Sequence, residues 1–124
     1  MPSNRYEQGA KIRREVLGEK YAVAAEKKTD DFIRPFREIS AEFIWGSIWS
    51  RPGLDRRTRT LINIAVLTAL GRPEELKIYF NAIDNVGVTK SEVQEALLHM
   101  MVYCGAPAAF DAFRIAQEQL KDHE

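Results

Sequence analysis

The sequence contains few of the residues that metal and redox sites require. Its 124 residues include one cysteine, Cys104, and two histidines, His99 and His123. A single thiol excludes an internal disulfide and a CxxC redox pair. So few histidine and cysteine ligands also argue against a zinc site built by the protein. We therefore expect no metal ion.

Charge balance and the lengths of the apolar runs exclude two further classes of partner. The 18 basic and 18 acidic residues cancel, so no net field favours nucleic acid or an anionic membrane. No apolar run reaches the roughly 18 to 20 residues of a membrane span. The opening MPSNRYEQGAKIRRE lacks the apolar stretch of a secretory signal. These absences predict a cytoplasmic protein that binds neither nucleic acid nor membranes.

The N-terminal part of the chain has the pattern of three helices. Residues 5–17 and 19–28 are charged, helix-like segments, which predict an N-terminal helical extension over residues 1–28. An apolar stripe of helical period follows, made of Phe32, Phe36, Ile39 and Phe43. Gly46 and the following SIWSRPGL mark the end of the third helix, with Arg-Pro-Gly as a turn.

The helix predicted from DRRTRTLINIAVLTAL is apolar on nearly every side. From Leu61 to Leu70 only Asn63 and Thr68 interrupt the apolar run, so we expect this helix to be buried almost all round. A chain of this length has few other helices to cover it. We therefore expect a homo-oligomer, with a compact monomer core as the alternative.

Local signals mark the boundaries of the remaining helices. Gly71 suits the end of the long apolar helix, and Pro73 suits the first turn of the next one. Thr89 and Glu92 match a capping box at a further helix start, and Pro107 suits the start of the last helix. No segment is convincing as a strand. The sequence predicts an all-α fold, one domain over residues 1–124 with about six helices in a bundle.

Two sets of side chains on predicted helices could take part in chemistry. Glu95, His99 and Tyr103 recur every four residues, and His99 could exchange a proton near neutral pH. The structural alternative is a histidine that is hydrogen-bonded at a helix interface. Cys104 could be a nucleophile, although a lone thiol in VYCGAP is more often a small buried apolar residue.

Arginines crowd the turn RPGLDRRTR, namely Arg51, Arg56, Arg57 and Arg59. Near a helix start they oppose the helix dipole, so local helix stability does not explain them. A guanidinium can bind a carboxylate through two parallel hydrogen bonds, whereas others of the group are solvated surface residues. Glu75 and Tyr79 of RPEELKIYF could likewise line a site. The structural alternative is that Glu75 stabilises the helix dipole and that Tyr79 is a half-buried aromatic residue.

Two blocks, WGSIWSRPGLDRRTRTLINIAVLTALGRPEELK and NVGVTKSEVQEALLHMMVYCGAPAA, resemble the carboxymuconolactone decarboxylase family. The opening RYEQGAKIRREVLG resembles it too. The resemblance implies an alkylhydroperoxidase D-like helical fold, assembled as a trimer or hexamer. It also implies conversion of γ-carboxymuconolactone to the 3-oxoadipate enol-lactone and CO₂ in aromatic compound catabolism, through the β-ketoadipate pathway, without metal or organic cofactor.

The resemblance also assigns roles to particular residues. Glu75 matches an acidic residue of the family, and Arg51 and Arg59 match arginines that are candidates for binding substrate carboxylates. His99 matches a histidine found after the two leucines of LLH. Tyr79 stands where typical members have histidine, so the implied proton donor is Tyr79 or His99.

Peroxidase relatives of this family carry a C-x-x-C-x-x-x-H motif that this chain lacks. Its positions are occupied here by Arg72, Glu75 and Tyr79, and Cys104 lies on a different predicted helix. Thiol peroxidase chemistry is therefore not expected. Tyr79 leaves two alternatives open: a paralogue that acts on another small carboxylic acid or lactone, and a non-enzymatic homo-oligomer that binds a small metabolite.

Overall fold

The computed structural model describes residues 4–123, and these form helices and turns without a strand. The α-helices are α1 (Asn4–Leu17), α2 (Glu19–Lys27), α3 (Arg34–Ile39), α4 (Arg56–Leu70), α5 (Pro73–Asn81), α6 (Ile83–Val86), α7 (Lys90–Cys104) and α8 (Ala106–Gln119). A π-helix, Ser40–Trp49, continues directly from α3. The predicted all-α fold is confirmed. The helices group into two compact units, one up to Arg56 and the other from Arg57 onward.

The first unit is built around the contact of α1 with the π-helix. Two glycines permit it, since a Cβ at Gly9 would overlap the carbonyl oxygen of Ala41, and one at Gly46 would overlap that of Arg5. Arg5 Nη1 also donates a hydrogen bond to Ser47 Oγ at 2.9 Å. The helical stretch ends at Trp49, within the predicted end region, and Gly46 itself stays helical, where its missing side chain lets α1 approach.

The interior of the first unit contains two tryptophans from the π-helix. Trp45 and Trp49 are buried, and their ring centroids lie 4.6 Å apart. The predicted apolar stripe lies elsewhere, on the surface of the unit. Its side chains are between 59% and 94% exposed: Phe32, Phe36, Ile39 and Phe43. Phe32 lies in the turn before α3, the other three side chains lie on α3 and the π-helix, and the first unit leaves all four exposed.

The second unit has a continuous apolar core in which α8 packs against both α5 and α7. The core residues come from every helix of the unit and from the turn before α7: Ile64, Leu76, Phe80, Ile83, Val88, Val93, Leu97, Ala112, Ala116 and Leu120. On α8 the fully or nearly buried side chains are alanines, which allow the neighbouring backbones to approach closely.

Only one face of α4 is buried. Its buried residues are Thr60, Ile64 and Thr68, and the Thr68 hydroxyl donates to the Ile64 carbonyl oxygen at 2.7 Å. Because a helix turns by about 100° per residue, the side chains two positions further on face the opposite way. These are 45% to 63% exposed: Ile62, Val66 and Leu70. The prediction of burial nearly all round is wrong for the single chain.

The helix boundaries predicted from local signals are confirmed. Gly71 follows α4 with φ of 68°, and its N–H donates to the Thr68 carbonyl oxygen while that of Arg72 donates to Leu67, closing a Schellman motif. At α7 the capping box is complete: Glu92 N–H donates to Thr89 Oγ1 and Thr89 N–H to Glu92 Oε1. Among residues 4–123, no helix combines the length and apolarity needed to cross a bilayer.

Candidate active site

The N-terminal turn of α5 carries two carboxylates. Pro73 starts the helix, Glu74 and Glu75 follow, and Arg72 at the N-cap provides no side-chain hydrogen bond to the first turn. Carboxylates at this end complement the unpaired N–H groups and the helix dipole. Glu74 forms an ion pair with Lys77 at 3.4 Å, whereas the Glu75 side chain is exposed. Glu75 therefore presents a carboxylate at the surface of this turn.

Tyr79 lies one helical turn after Glu75, on the same side of α5. Its side chain is half-buried and packs against the core of the second unit. A tyrosine in this setting buries its ring and keeps a polar hydroxyl at the edge of the apolar region. The predicted pairing of Glu75 and Tyr79 along one helix face thus gives an acid and a phenol at neighbouring positions.

His99 lies on the exposed face of α7. The buried face of that helix is formed by Val93 and Leu97, and His99 is on the other side. Its ring stacks on that of Tyr103, with centroids 4.8 Å apart and planes tilted by 41°. The predicted spacing therefore brings His99 and Tyr103 together, in a surface position rather than at an interface within the unit.

Exposed apolar side chains surround His99 on α7. They range from 43% to 75% exposure: Leu98, Met101, Val102 and Tyr103. Exposed apolar surface of this extent on one helix is typical of a binding surface. The imidazole thus lies on an apolar surface that the second unit leaves uncovered.

Two of the four crowded arginines form structural ion pairs. Arg56 Nη2 lies 3.1 Å from Glu15 Oε1 in the first unit. Arg57 Nη2 pairs with Glu92 Oε2 in the second unit, so the carboxylate that caps α7 also holds the start of α4. Sequence reasoning missed this second pair, because no periodic signal links residues so far apart in the chain.

The other two arginines are the ones predicted to bind substrate. Arg59 is on the first turns of α4, half-buried, with its Nε atom buried. Arg51 is exposed in the turn after the π-helix and belongs to the first unit.

Cys104, at the end of α7, is half-buried, and its thiol lies 3.1 Å from the Met100 carbonyl oxygen. A half-buried thiol that donates back to its own helix is typical of a packing residue. Within residues 4–123, no cluster of three or more histidine, cysteine, aspartate or glutamate side chains could hold a metal ion. The chemistry available on α5 and α7 is therefore that of a carboxylate, a phenol and an imidazole.

Two grooves flank α8 in the second unit, with volumes of about 660 and 670 Å³. Glu75, Tyr79 and His99 are not among the residues that line them. The candidate catalytic groups thus lie on open surface or at the core edge of a single chain.

The chain matches the model of the carboxymuconolactone decarboxylase family over residues 35–118. It also shares 48% identity over 118 residues with a 4-carboxymuconolactone decarboxylase of Acinetobacter baylyi, an alignment that covers 95% of this chain and 88% of the relative. Nitrosuccinic acid decarboxylase npaB of Metarhizium robertsii is 37% identical over 117 residues, covering 94% and 82%. The chain belongs to the carboxymuconolactone decarboxylase family. The matched region runs from α3 into α8 and contains all five predicted site residues.

Proposed function

We propose that this protein is a carboxy-lyase that converts γ-carboxymuconolactone to the 3-oxoadipate enol-lactone and CO₂. The observation that carries the proposal is the 48% identity, over 95% of the chain, with a 4-carboxymuconolactone decarboxylase. The second relative is also named as a decarboxylase of a small acid. Because both relatives are named as decarboxylases, an enzyme is favoured over a non-catalytic binding protein.

In the proposed reaction, the protein mainly has to bind the substrate and transfer a proton. The bond between the ring carbon and the carboxylate carbon breaks, CO₂ leaves, and the electron pair spreads through the ring double bond to the lactone carbonyl. The substrate therefore contains its own electron sink. The protein has to bind the substrate carboxylates and exclude water from the carboxylate that leaves as CO₂. It also has to deliver a proton to the ring carbon.

The residues proposed for proton delivery are those of α5 and α7. Glu75 and Tyr79 lie one turn apart on α5, so the carboxylate can orient a phenol that gives its proton to carbon. His99, stacked on Tyr103, is the alternative donor. The family resemblance supports both Tyr79 and His99 as donors. His99 is exposed and Tyr79 is partly exposed.

The proposed carboxylate ligands are arginines. Arg59, half-buried on α4, would bind one substrate carboxylate by two parallel hydrogen bonds. Arg51 is a second candidate, supported by its match to the family pattern. A half-buried guanidinium is less screened by water than a surface one, which favours Arg59 as the stronger ligand.

A second candidate function is decarboxylation of a different small dicarboxylic acid. The observation that favours it is the 37% identity with a nitrosuccinic acid decarboxylase. A nitro group, like a lactone carbonyl, can accept the electrons left behind when CO₂ departs. The same arginine, acid and proton donor would serve either substrate, so the substrate differs without a change in mechanism.

We also propose that the protein works as a cytoplasmic homo-oligomer, a trimer or hexamer. Two exposed apolar surfaces support this part of the proposal: the α4 stripe, formed by Ile62, Val66 and Leu70, and the surface around His99 on α7. A second copy placed over His99 would exclude water from it. That would supply the apolar surroundings that decarboxylation needs.

The direct test is an ultraviolet assay with γ-carboxymuconolactone generated in situ, run in parallel with nitrosuccinate. We expect turnover of the lactone well above its spontaneous rate, and a large loss of turnover in Glu75→Gln. Faster turnover of nitrosuccinate would identify the second candidate. If a folded preparation accelerated neither reaction, the decarboxylase proposal would be wrong and a binding role would be favoured.

A further inference from the structure

The groove between α7 and α8 combines an apolar floor with a positively charged rim. Side chains of the core form its floor, including Val93, Leu97 and Leu120. Its volume, about 660 Å³, lies within the range of sites that hold small organic ligands. The candidate catalytic residues do not line this groove, and the proposed mechanism makes no use of it.

All the charged side chains that line this groove are cations: Lys90, Arg114 and Lys121. The remaining polar lining residues are neutral, namely Ser91, Gln94 and Gln117. A carboxylate placed at the rim would therefore be attracted by the charged lining groups and repelled by none of them. This charge pattern favours an anionic ligand.

The acidic partners of these cations lie on the other side of α8. Arg114 pairs with Asp111 at 3.2 Å and Lys121 with Glu118 at 3.1 Å. Asp111 and Glu118 line the second groove, on the α5 side, and not this one, whereas Arg114 lines both grooves. Both pairs are largely exposed, and exposed pairs are weak, so a ligand carboxylate can compete for the cations.

The third cation is held differently. Lys90 Nζ donates a hydrogen bond to the His123 carbonyl oxygen at 3.1 Å. This bond fixes the ammonium group at one end of the groove without neutralising its charge.

Two phenylalanines define the shape of the ligand. Phe110 and Phe113 line the groove, and the Arg114 guanidinium lies over the Phe110 ring, 5.0 Å from its centroid. A flat ring can stack beside these aromatic faces, while its carboxylate reaches the cations at the rim. A highly charged ligand such as an oligophosphate would leave the apolar floor unused.

We propose that the α7–α8 groove is a second binding site, separate from the proposed active site, for a small flat aromatic monocarboxylate. The ring lies on the apolar floor against Phe110 and Phe113, and the carboxylate contacts Arg114 and Lys121. The inference does not depend on the proposed decarboxylation, because it rests on the groove alone.

The test measures the affinity of 2-naphthoate by titration calorimetry, with 2-naphthylmethanol as the neutral probe of the same shape. In the double variant Arg114→Gln/Lys121→Gln we expect 2-naphthoate to bind roughly fivefold more weakly or worse. Affinity for the neutral alcohol should change less than about twofold. Unchanged 2-naphthoate affinity in this variant would overturn the proposal.

The matched control is Arg72→Gln/Lys77→Gln, which removes two cations from the groove on the other side of α8. We expect this control to bind 2-naphthoate as the parent does. An equal loss in both double variants would mean that general electrostatic attraction, and not this groove, holds the anion. That result would also overturn the proposal.

Two further measurements locate the ligand. Anomalous scattering from 6-bromo-2-naphthoate in a crystal should place bromine between α7 and α8, and bromine found only elsewhere would contradict the assignment. In the decarboxylase assay without naphthoate, the Arg114→Gln/Lys121→Gln variant should keep the parental KM. A raised KM would make the groove part of the active site rather than a second site. Absence of all turnover would count against the proposed function and leave the binding result intact.

Discussion

Tyr79 is the residue on which the proposed chemistry depends most directly. It is half-buried against the core and one turn from Glu75, so its ring has a packing role whether or not its hydroxyl reacts. A phenol hydroxyl can donate a hydrogen bond or a proton. Packing and proton donation can therefore be separated by removing the oxygen alone.

We predict that Tyr79→Phe lowers kcat for decarboxylation by roughly 100-fold or more, because general-acid catalysis typically contributes a factor of this size. The ring stays in place, so the thermal unfolding midpoint should change little. Steady-state kinetics and circular dichroism check the two parts. His99→Gln is the paired variant. The reverse pattern, loss in His99→Gln and none in Tyr79→Phe, would assign the proton to the imidazole.

Arg59 is the residue proposed to bind substrate most strongly. Lysine keeps the charge but loses the two parallel hydrogen bonds of the guanidinium. Arg59→Lys should therefore raise KM roughly tenfold, a loss of about 1.4 kcal/mol in binding. Arg56→Lys is the matched control, since Arg56 pairs with Glu15 and has no proposed contact with substrate. Equal effects of the two substitutions on KM would contradict the assignment, and Arg51→Lys tests the second candidate in the same assay.

Among the helices, sequence predicted the boundaries well because the signals that set them are local. The Schellman motif after α4 needs only Gly71 and its neighbours, and the capping box of α7 needs only Thr89 and Glu92. The contact that Gly46 makes was not predictable because it is non-local: the residue accommodates α1, which lies far away in the sequence. The burial of α4 was misread for a related reason, since apolar residues on a helix do not reveal which faces have partners.

The sequence indicated which residues form the candidate site, but not how their side chains lie relative to the helix faces and to other helices. Helical spacing gave the Glu75–Tyr79 and His99–Tyr103 pairs, which the structure places one turn apart on α5 and in ring contact on α7. Spacing cannot report that His99 is on the outer face of α7. Nor can it report the groove between α7 and α8, because that groove exists only where two helices meet.

The contact between α1 and the π-helix should be sensitive to a single methyl group. In Gly9→Ala the new Cβ would overlap the Ala41 backbone, which is not a flexible side chain, so the helices must separate. We expect a loss of about 3 kcal/mol in the free energy of unfolding, measured by urea denaturation. Gly53→Ala is the control, because open space surrounds that position, and its effect should stay within about 0.5 kcal/mol. Similar losses in both variants would refute this packing explanation.

At the scale of the whole molecule, a single chain leaves apolar side chains exposed in several places. They lie on α4, on α7, and along the stripe that contains Phe32 and Phe43. Surface of this kind is typical of proteins that bury it by association. The proposed homo-oligomer would account for it.

We predict that Val66→Glu disrupts the oligomer, because it places a charge in the middle of the exposed α4 stripe, and a buried unpaired charge is costly. Light scattering coupled to size-exclusion chromatography should give a multiple of the chain mass for the parent and a smaller one for the variant. Gln8→Glu adds the same charge at an exposed polar position of α1 and should leave the mass unchanged. A parent that elutes as a monomer would remove the oligomer proposal.

The buried alanines of α8 have a consequence for how this protein tolerates change. Ala109, Ala112 and Ala116 are buried on one face of the helix, while Phe110 and Gln117 are exposed on another. In a saturation library, the three alanines should accept little beyond glycine or serine. The exposed positions Phe110 and Gln117 should accept many residues without loss of folding. One helix thus separates the positions that maintain the fold from those where new ligand preferences can arise.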